Sequence, residues 1–595
     1  MKNFIKMTFA TLTGLILFSF AALFIMIAVA GAVAAVGNKQ PIMPAKAVLT
    51  INMSNIILGE QTKEPDALTL LQSGGEMPSN IGIYNAIQAI NTAAKDPSVA
   101  FIYMKPDGGM TVTSSVAHIE EFRKALENFR MSGKAIISYI ENPSNSSYYL
   151  ASVSDKIYMT PYDGGINMFT GLSSQMIFLK DILDRLGVNI QLIRHGKYKS
   201  AGEMFIRNSS SAENLEQNEA MIDSMWESWA QQIAQARGIS VDRLNQMLNN
   251  LELVLPSDWK EKGLVDELLT RSQLQQQICN LYVTNNYNSV KSISLADYAT
   301  IRNQPKLTAG QKVAIIYAEG NIVDGNDKAQ LAGDRFVKII SDVRRDTSIK
   351  AVVLRVNSPG GSVLAAEKIK AEVDLLQKRV PVIASYGDYA ASGGYWISAC
   401  CDKIYTDATT LTGSIGVFSI IPDFSGTLHD KLHVNVTPVS SNSHADMYNC
   451  LRPLTKAETS YLQATVENVY KRFTSIVAEG REMSIAQVEN LAQGRVWTGA
   501  EAVQNGLADE IGNIEDALRY AALSIDGVSD LNEVQVVEYP KPLTTLEMLL
   551  ESFGSKTPSV LAGTPFENIE AAFSSINATE TGKTYARMPY EYVIR

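Results

Sequence analysis

Short apolar runs alternate with longer amphipathic stretches along most of this 595-residue chain. The apolar runs have the length of buried strands, and they lie at 47–52, 100–104, 135–139, 312–317, 351–356 and 380–385. Segments 115–132 and 365–378 instead place apolar residues three and four positions apart, and 212–251 and 455–491 form longer helical regions. Strands separated by helices of this length are typical of βαβ crossovers, so the pattern predicts an α/β fold with largely parallel sheets.

This alternation occurs twice, and the two copies share short motifs. The run VAFIYMKPDGG at 99–109 is echoed by AVVLRVNSPGG at 351–361, and DKIY at 155–158 recurs at 402–405. The sequence GLVDE at 263–267 similarly recurs as GLADE at 506–510. The spacing between the copies drifts slowly, as expected for a tandem duplication with small changes in the loops.

The duplication sets the expected domain boundaries. We expect a first repeat at 46–283, a linker at 284–311 and a second repeat at 312–540. Both repeats are long enough to bury a full core. The remaining tail, 541–595, has no counterpart in the first copy, and its sequence assigns it no role.

An uncharged apolar run follows the first residues of the chain. Residues 1–8 carry two lysines, and 9–37 is longer than the roughly 20 apolar residues that a bilayer core requires. We therefore expect a cytoplasmic N-terminus, a transmembrane anchor at 9–37 and all later residues on the far side of the membrane. The alternative is a cleaved signal peptide, because small-residue triplets lie near the end of the run.

Composition excludes several classes of function. The net charge is −10 and no lysine- and arginine-rich run is present, so nucleic acid is not an expected partner. The four cysteines show no Cys-x-x-Cys pair, and no metal-binding or phosphate-binding motif is apparent. The sequence therefore predicts no cofactor.

Two glycine-rich turns of the second copy contain candidate catalytic groups. The run Asn357-Ser358-Pro359-Gly360-Gly361 follows an apolar strand, and glycine at such a turn lets backbone N–H groups approach a ligand. The next strand leads into Ser392-Gly393-Gly394, a serine surrounded by small residues at the start of a helix. From the residues alone, the first turn can be a simple strand-to-helix connection, and the serine can be an N-cap or a nucleophile.

A nucleophilic serine requires a base, and the local sequence leaves its identity open. The hydrolase elbow Gly-x-Ser-x-Gly is absent, because Ala390 replaces its first glycine. None of the five histidines lies in a recognisable Ser-His-Asp triad motif, although His195 is an alternative candidate for the base. Burial can lower a lysine pKa enough for that role, which makes Lys197 and Lys199 candidates.

These motifs resemble those of signal peptide peptidase A in its large, duplicated form, also called protease IV. The resemblance extends from the N-terminal anchor to about residue 525, and its specific parts are the sequences YKSA at 198–201, NSPGG at 357–361, ASGG at 391–394 and LTGSIG at 411–416. It implies that Ser392 is the nucleophile, Lys199 the general base and Ser414 the group that orients the lysine amine. It further implies an oxyanion hole formed by Gly361 with Gly360 and by the amide of Gly393.

The same resemblance implies a fold and a function. The fold would be two Clp protease/crotonase-type ββα superhelical domains after a transmembrane helix, assembled as a homotetramer. The activity would be that of a serine endopeptidase of the bacterial inner membrane, with its repeats on the periplasmic side. Its substrates would be signal peptides already released from secreted proteins, together with other apolar peptides. Two alternatives are a crotonase-like acyl-thioester enzyme, which would use the same oxyanion hole, and a membrane scaffold that has lost its activity.

Overall fold

A computed structural model describes residues 41–63, 78–108, 115–303, 310–541 and 583–588, together with a few positions between 6 and 20. The anchor expected at 9–37 and most of the tail at 541–595 lie outside these residues. Within the described part of the chain, none of the helices has both the length and the apolar character needed to span a bilayer.

The first repeat is built on a parallel sheet of six strands in the order β8-β6-β5-β4-β1-β9, and β2 pairs with β3 beside it. The three strands predicted here are confirmed, each within about one residue of its expected bounds. The strands are β1 (Ala47–Asn52), β2 (Ile56–Gly59), β3 (Ser79–Gly82), β4 (Val99–Lys105), β5 (Ile136–Ile140), β6 (Lys156–Met159), β7 (Asn189–His195), β8 (Glu267–Leu268) and β9 (Ser292–Ser294).

The second repeat is built on a sheet of eight strands with β15, β13 and β10 at its centre. Its predicted strands are likewise confirmed, although all three extend further than the apolar runs at 312–317, 351–356 and 380–385. The strands are β10 (Lys312–Glu319), β11 (Ile322–Val323), β12 (Leu331–Ala332), β13 (Ile349–Ser358), β14 (Gly360–Ser362), β15 (Val382–Ala391), β16 (Lys403–Thr406), β17 (Leu411–Gly413), β18 (Val417–Asp423), β19 (Val496–Thr498), β20 (Glu510–Ile511), β21 (Gln535–Tyr539) and β22 (Tyr585–Arg587).

Helices cover the sheets in the same order in both repeats, which is consistent with the tandem duplication. In the first repeat they are α1 (Ile83–Lys95), α2 (Val116–Arg130), α3 (Asn145–Ala151), α4 (Lys180–Leu186), α5 (Glu203–Ile206), α6 (Ala212–Arg237), α7 (Val241–Asn249), α8 (Pro256–Glu261), α9 (Arg271–Tyr282) and α10 (Leu295–Arg302). In the second repeat they are α11 (Gly333–Arg345), α12 (Val363–Gln377), α13 (Gly393–Trp396), α14 (Lys456–Gly480), α15 (Ile485–Leu491), α16 (Gly499–Asn505) and α17 (Ile514–Leu523).

Side-chain caps and apolar faces explain where these helices begin and how they pack. Ser115 accepts a hydrogen bond from the His118 amide at the start of α2, and Ser362 accepts one from the Ala365 amide at the start of α12. The apolar faces of both helices are buried against the sheets.

The segment expected to be a linker, 284–311, contains secondary structure. Strand β9 pairs in parallel with β1 at the edge of the first sheet, and helix α10 follows it directly and packs against α1. Secondary structure that packs on the first repeat therefore continues past residue 283, as far as Arg302 at the end of α10.

A third sheet joins the two repeats, with strand order β12-β11-β14-β22-β18-β7. Strand β7 belongs to the first repeat, yet it pairs antiparallel with β18 of the second, from Asn189 opposite Asp423 to His195 opposite Val417. Because of this ladder, the residues that follow β7, including Lys199, lie against the second repeat.

Candidate active site

Ser392 lies between the end of β15 and the first turn of α13, in an unusual backbone conformation. Its φ of 56° is positive, which is uncommon for a residue other than glycine and is found most often at functional sites. The Ser392 amide donates to the Gly413 carbonyl at 2.8 Å, and the residue is fully buried. Its side chain makes no capping hydrogen bond to α13, so the N-cap interpretation is wrong.

The Ser392 hydroxyl contacts the Lys199 amine instead. Lys199 Nζ lies 2.9 Å from Ser392 Oγ, 2.9 Å from Ser414 Oγ and 3.0 Å from the Ser414 carbonyl oxygen. A neutral amine has two N–H donors and one lone pair. Those two donors match the two oxygens of Ser414, which leaves the lone pair for the Ser392 hydroxyl proton.

Burial sets the charge state of this amine. Lys199 is fully buried, and desolvation lowers the pKa of its amine well below the ordinary lysine value. The contacts at Nζ are hydroxyl and carbonyl oxygens rather than a carboxylate, so no counter-ion opposes the effect of burial. The site therefore favours the neutral form, which can accept a proton.

The backbone around Lys199 is held by both repeats. The Tyr198 amide donates to the Gln493 carbonyl at 2.9 Å, and Arg194 donates to the Lys199 carbonyl at 2.8 Å. Gly494, next to Gln493, has a φ of 80°, and a Cβ there would lie 2.6 Å from the Lys199 nitrogen. Only glycine allows this close approach. The role of Gly494 was not predicted, because no sequence motif links it to a lysine almost 300 residues earlier.

Ser414 is fixed on the opposite side of the amine, just after β17. Its amide donates to the Arg495 carbonyl at 2.7 Å, and its φ is 48°. Strand β17 pairs with both β15 and β19, so the serine that contacts Lys199 and the serine at position 392 follow neighbouring strands. Both hydroxyls are thus held by one sheet.

The predicted oxyanion glycines cluster beside Ser392. A Cβ added to Gly393 would lie 3.1 Å from the Gly361 nitrogen, and one added to Gly360 would lie 2.6 Å from the Gly393 nitrogen. A Cβ on Gly361 would collide with the Ile322 carbonyl oxygen. The amides of Gly361 and Gly393 therefore share one small space that side chains do not obstruct.

The other candidate bases lie in different surroundings. Lys197 is exposed, with its amine over the Tyr198 ring, and His195 stacks on the Tyr470 ring with 3.9 Å between the ring centroids. Of the three candidates, Lys199 is the one that the structure places against Ser392.

The first repeat has a different arrangement where the second has its serine. Asn145 begins helix α3 there, and its side-chain oxygen accepts hydrogen bonds from the amides of Thr170 and Gly171. The side-chain nitrogen of Asn145 donates to the Gly171 carbonyl at 2.9 Å. In this copy the position therefore secures a loop.

Strand β22, in the C-terminal tail, also reaches this site and was not predicted. The Ala586 carbonyl oxygen would lie 2.9 Å from a Cβ on Gly393, next to the glycine cluster. No local motif in the tail indicates this location, because the strand is short and its pairing partners lie more than 150 residues away.

A buried serine hydroxyl, a buried amine and clustered backbone amides that no side chain covers, on an α/β scaffold, are the features of a serine hydrolase. Comparison with known proteins narrows this class. The profile described as "Peptidase family S49" matches residues 128–282 and 374–526, which is one match in each repeat. The chain belongs to peptidase family S49 and is a serine protease.

Three relatives illustrate the range of this family. Protease 4 of Haemophilus influenzae is 34% identical over 82% of this chain and 80% of its own length. The chloroplastic serine protease SPPA of Arabidopsis thaliana is 30% identical over 79% of this chain and 69% of its own length. The putative signal peptide peptidase SppA of Enterococcus faecium is 34% identical over 40% of this chain and 69% of its own length, so it matches less than half of the duplicated chain.

Proposed function

We propose that this serine protease is an endopeptidase with a Ser392/Lys199 dyad, and that it degrades signal peptides after their release from secreted proteins. The observation that carries the proposal is the contact of 2.9 Å between Lys199 Nζ and Ser392 Oγ, with both side chains fully buried. A buried neutral lysine is a competent general base for a serine hydroxyl.

The proposed reaction begins with proton transfer. Lys199 takes the hydroxyl proton of Ser392 as Oγ attacks the carbonyl carbon of the scissile bond. The resulting ammonium then donates its proton to the leaving amine, and the peptide C–N bond breaks. Water, deprotonated by the same amine, hydrolyses the acyl-enzyme and restores Ser392.

The surrounding residues have separate roles in this proposal. The amides of Gly361 and Gly393, with Gly360 shaping the turn, stabilise the negative charge that develops on the carbonyl oxygen. Ser414 accepts hydrogen bonds from the Lys199 amine through its hydroxyl and its carbonyl, so that the remaining lone pair is directed at Ser392.

The location and the assembly are part of the same proposal. The apolar run at 9–37 supports a single-pass anchor in the bacterial inner membrane, with the repeats on the periplasmic side. The parallel sheets with covering helices support the Clp protease/crotonase type of fold. We further infer a homotetramer, from the family resemblance alone. One relative's name, signal peptide peptidase, supports the substrate class.

The test compares Ser392→Ala and Lys199→Met with the wild type on an internally quenched apolar peptide. Either change should lower kcat/KM by at least about 10³-fold, because the nucleophile and its base act as a unit. Lys197→Ala is the matched control, since this exposed neighbouring lysine does not contact Ser392 and should retain full activity.

A second measurement separates the protease from an acyl-thioester enzyme that uses only the oxyanion hole. A fluorophosphonate should phosphonylate Ser392 Oγ, with loss of fluoride from phosphorus, in the wild type and in Lys197→Ala, but not in Ser392→Ala. Near-normal turnover in Ser392→Ala or Lys199→Met would refute the dyad.

A further inference from the structure

Strand β15, which leads to the proposed nucleophile, contains a bulge close to its end. In the ladder between β13 and β15, Val356 pairs with Tyr386, and the next recorded pair is Ser358 with Ala390. Residues 387–389 of β15 therefore share the space opposite a single residue of β13. Bulges bend a strand and redirect the side chains that follow, and they are common beside active sites.

Two side chains of the second repeat hold the backbone of this bulge. Asn357 Oδ1 accepts a hydrogen bond from the Tyr389 amide at 3.1 Å, and the Thr410 hydroxyl donates to the Gly387 carbonyl at 2.7 Å. Gly387 is tightly enclosed, because a Cβ there would lie 2.5 Å from Glu60 Oε1. Glu60 belongs to the first repeat, so the bulge lies at the boundary between the repeats.

The first repeat also binds the middle of the bulge directly. Asp388 Oδ1 accepts a hydrogen bond from the Ala117 amide at 2.8 Å, in the first turn of helix α2. The N–H groups of a first turn have no partner within their own helix, and a carboxylate is favoured beside them. Asp388 thus joins the strand that precedes Ser392 to a helix of the other repeat.

Buried ionic contacts hold the start of α2 in turn. His118 Nε2 lies 3.0 Å from Glu60 Oε1, and His118 Nδ1 lies 3.1 Å from the Leu58 carbonyl oxygen. Both ring nitrogens face acceptors, so the ring carries two protons and a positive charge. Burial opposes that charge, but the Glu60 carboxylate outweighs burial and raises the pKa of His118. Glu60 also binds Arg355 of β13 at 2.7 Å, so α2 and β13 share one ion network.

We propose that Asp388 is a positioning residue, and that its contact with α2 sets the place of Ser392 relative to Lys199. This inference rests on the proposed Ser392/Lys199 function. The first repeat provides both fixed points, because α2 holds the bulge and the segment after β7 contains the lysine. Ser392 follows Asp388 by four residues, so a displaced bulge changes the distance of 2.9 Å between Ser392 Oγ and Lys199 Nζ.

The contact should affect the rate of reaction rather than the binding of a peptide. The hydrogen bond of Asp388 is to α2, and not to the Lys199 amine or to the glycines proposed to bind the substrate carbonyl. A displacement of about 1 Å at a reacting group costs about 100-fold in rate. The Ala117 amide requires only an acceptor oxygen, which asparagine also supplies, so Asp388→Asn should preserve the position of the strand.

Steady-state kinetics on an internally quenched apolar peptide tests this role. Asp388→Ala should lower kcat about 10- to 100-fold with KM within about threefold of the wild type, and Asp388→Asn should stay within about threefold in both. Phosphonylation of Ser392 by a fluorophosphonate should slow in parallel in Asp388→Ala, because its rate depends on the geometry of the dyad. Far-UV circular dichroism at the assay temperature shows whether each variant is folded.

Asp402→Ala is the matched control. The Asp402 carboxylate accepts a hydrogen bond from the Val382 amide at 2.7 Å, at the other end of β15, so its loss weakens the same strand away from the bulge. Its kcat should stay within about threefold of the wild type. If Asp388→Ala does not fold, Thr410→Val takes its place, because it removes the hydroxyl that binds the Gly387 carbonyl and keeps a branched side chain. Its kcat should fall about fivefold or more.

Three results would overturn the positioning role. They are a wild-type kcat in the folded bulge variant, an equal loss of kcat in Asp402→Ala, and a loss in Asp388→Asn as large as that in Asp388→Ala. Each of them leaves the proposed function standing, because near-normal turnover in Ser392→Ala is the result that refutes the dyad.

Discussion

Removing the Ser414 hydroxyl should slow catalysis without weakening substrate binding. Ser414 Oγ lies 2.9 Å from Lys199 Nζ, and the Ser414 carbonyl holds the same amine at 3.0 Å. Without the hydroxyl, one N–H of the neutral amine loses its acceptor inside a fully buried site. The amine can then rotate that N–H toward Ser392 and direct its lone pair away from the hydroxyl proton.

The size of the effect follows from the cost of the lost contact. A buried donor left without an acceptor costs about 1–3 kcal/mol. Each 1.36 kcal/mol added to the activation barrier slows the reaction about tenfold, so kcat should fall by about 5- to 150-fold. The hydrogen bonds of Ser414 are to Lys199 and Arg495 rather than to the glycines proposed to bind the substrate carbonyl, so KM should change little.

The assay compares Ser414→Gly and Ser414→Ala on a quenched peptide, with kcat and KM measured separately. Glycine accepts the φ of 48° at this position without strain, whereas alanine does not, so an equal loss in both variants assigns the effect to the hydroxyl. Ser398→Ala is the matched control, because it removes a buried hydroxyl that donates to the Gly394 carbonyl and does not contact Lys199. Its kcat should stay within about threefold of the wild type.

Two results would contradict this reasoning. If kcat of Ser414→Gly equals that of the wild type, the hydroxyl does not orient the amine. If Ser398→Ala loses as much activity as Ser414→Gly, the loss reflects general damage to the buried site rather than the position of the lone pair.

The charge state of the base and the buried ion pairs give two further predictions. Because kcat/KM follows the neutral fraction of Lys199, kcat/KM should fall about tenfold for each pH unit below the pKa of this lysine. The plateau of kcat/KM at high pH should begin well below pH 10.5, because burial lowers that pKa. A pH–rate profile that is still rising at pH 10.5 would contradict the lowered pKa. Arg355 pairs with Glu60 and Glu121 across the repeats at 2.7 Å, all of them buried, so Arg355→Leu should lower the free energy of unfolding by about 3–5 kcal/mol in urea titration. Lys63→Ala breaks an exposed pair across the same boundary and should cost less than about 1 kcal/mol; similar losses in both variants would show that burial is not the reason.

The fold was largely predictable because hydrophobic period and repetition are local signals. Strand β13 is buried at eight of its ten positions and contains the continuous apolar run AVVL at 351–354, and the matching run in the first copy forms β4. Strand β9, inside the segment expected to be a linker, was not predicted because it has three residues and only one of them, Ile293, is buried. A strand of three residues is too short to show an alternation of apolar and polar positions. Its extended conformation is instead set by its pairing with β1.

The parts of the site that lie in sequence motifs were predictable, whereas the parts that depend on tertiary contacts were not. The small residues around Ser392 and the two glycine-rich turns mark the second repeat, while local sequence left Lys197, Lys199 and His195 as competing bases. Two features depend on pairs distant in sequence, namely Gly494 against the Lys199 backbone and β22 beside β14. Neither has a local pattern, because the requirement for glycine or for a strand comes from the partner.

The antiparallel ladder between β7 and β18 explains why the duplication supports one site instead of two. It extends over seven residue pairs and ends at His195, four residues before Lys199, so backbone pairing places Lys199, the proposed base, against the second repeat. Lys199 and Ser392 are 193 residues apart and meet within a single chain. The first repeat uses Asn145 to secure a loop where the second has its serine, and the lysine that contacts this serine belongs to the first repeat. In the proposed mechanism each half therefore supplies one member of the dyad, and the sheet that the two repeats share brings these members together.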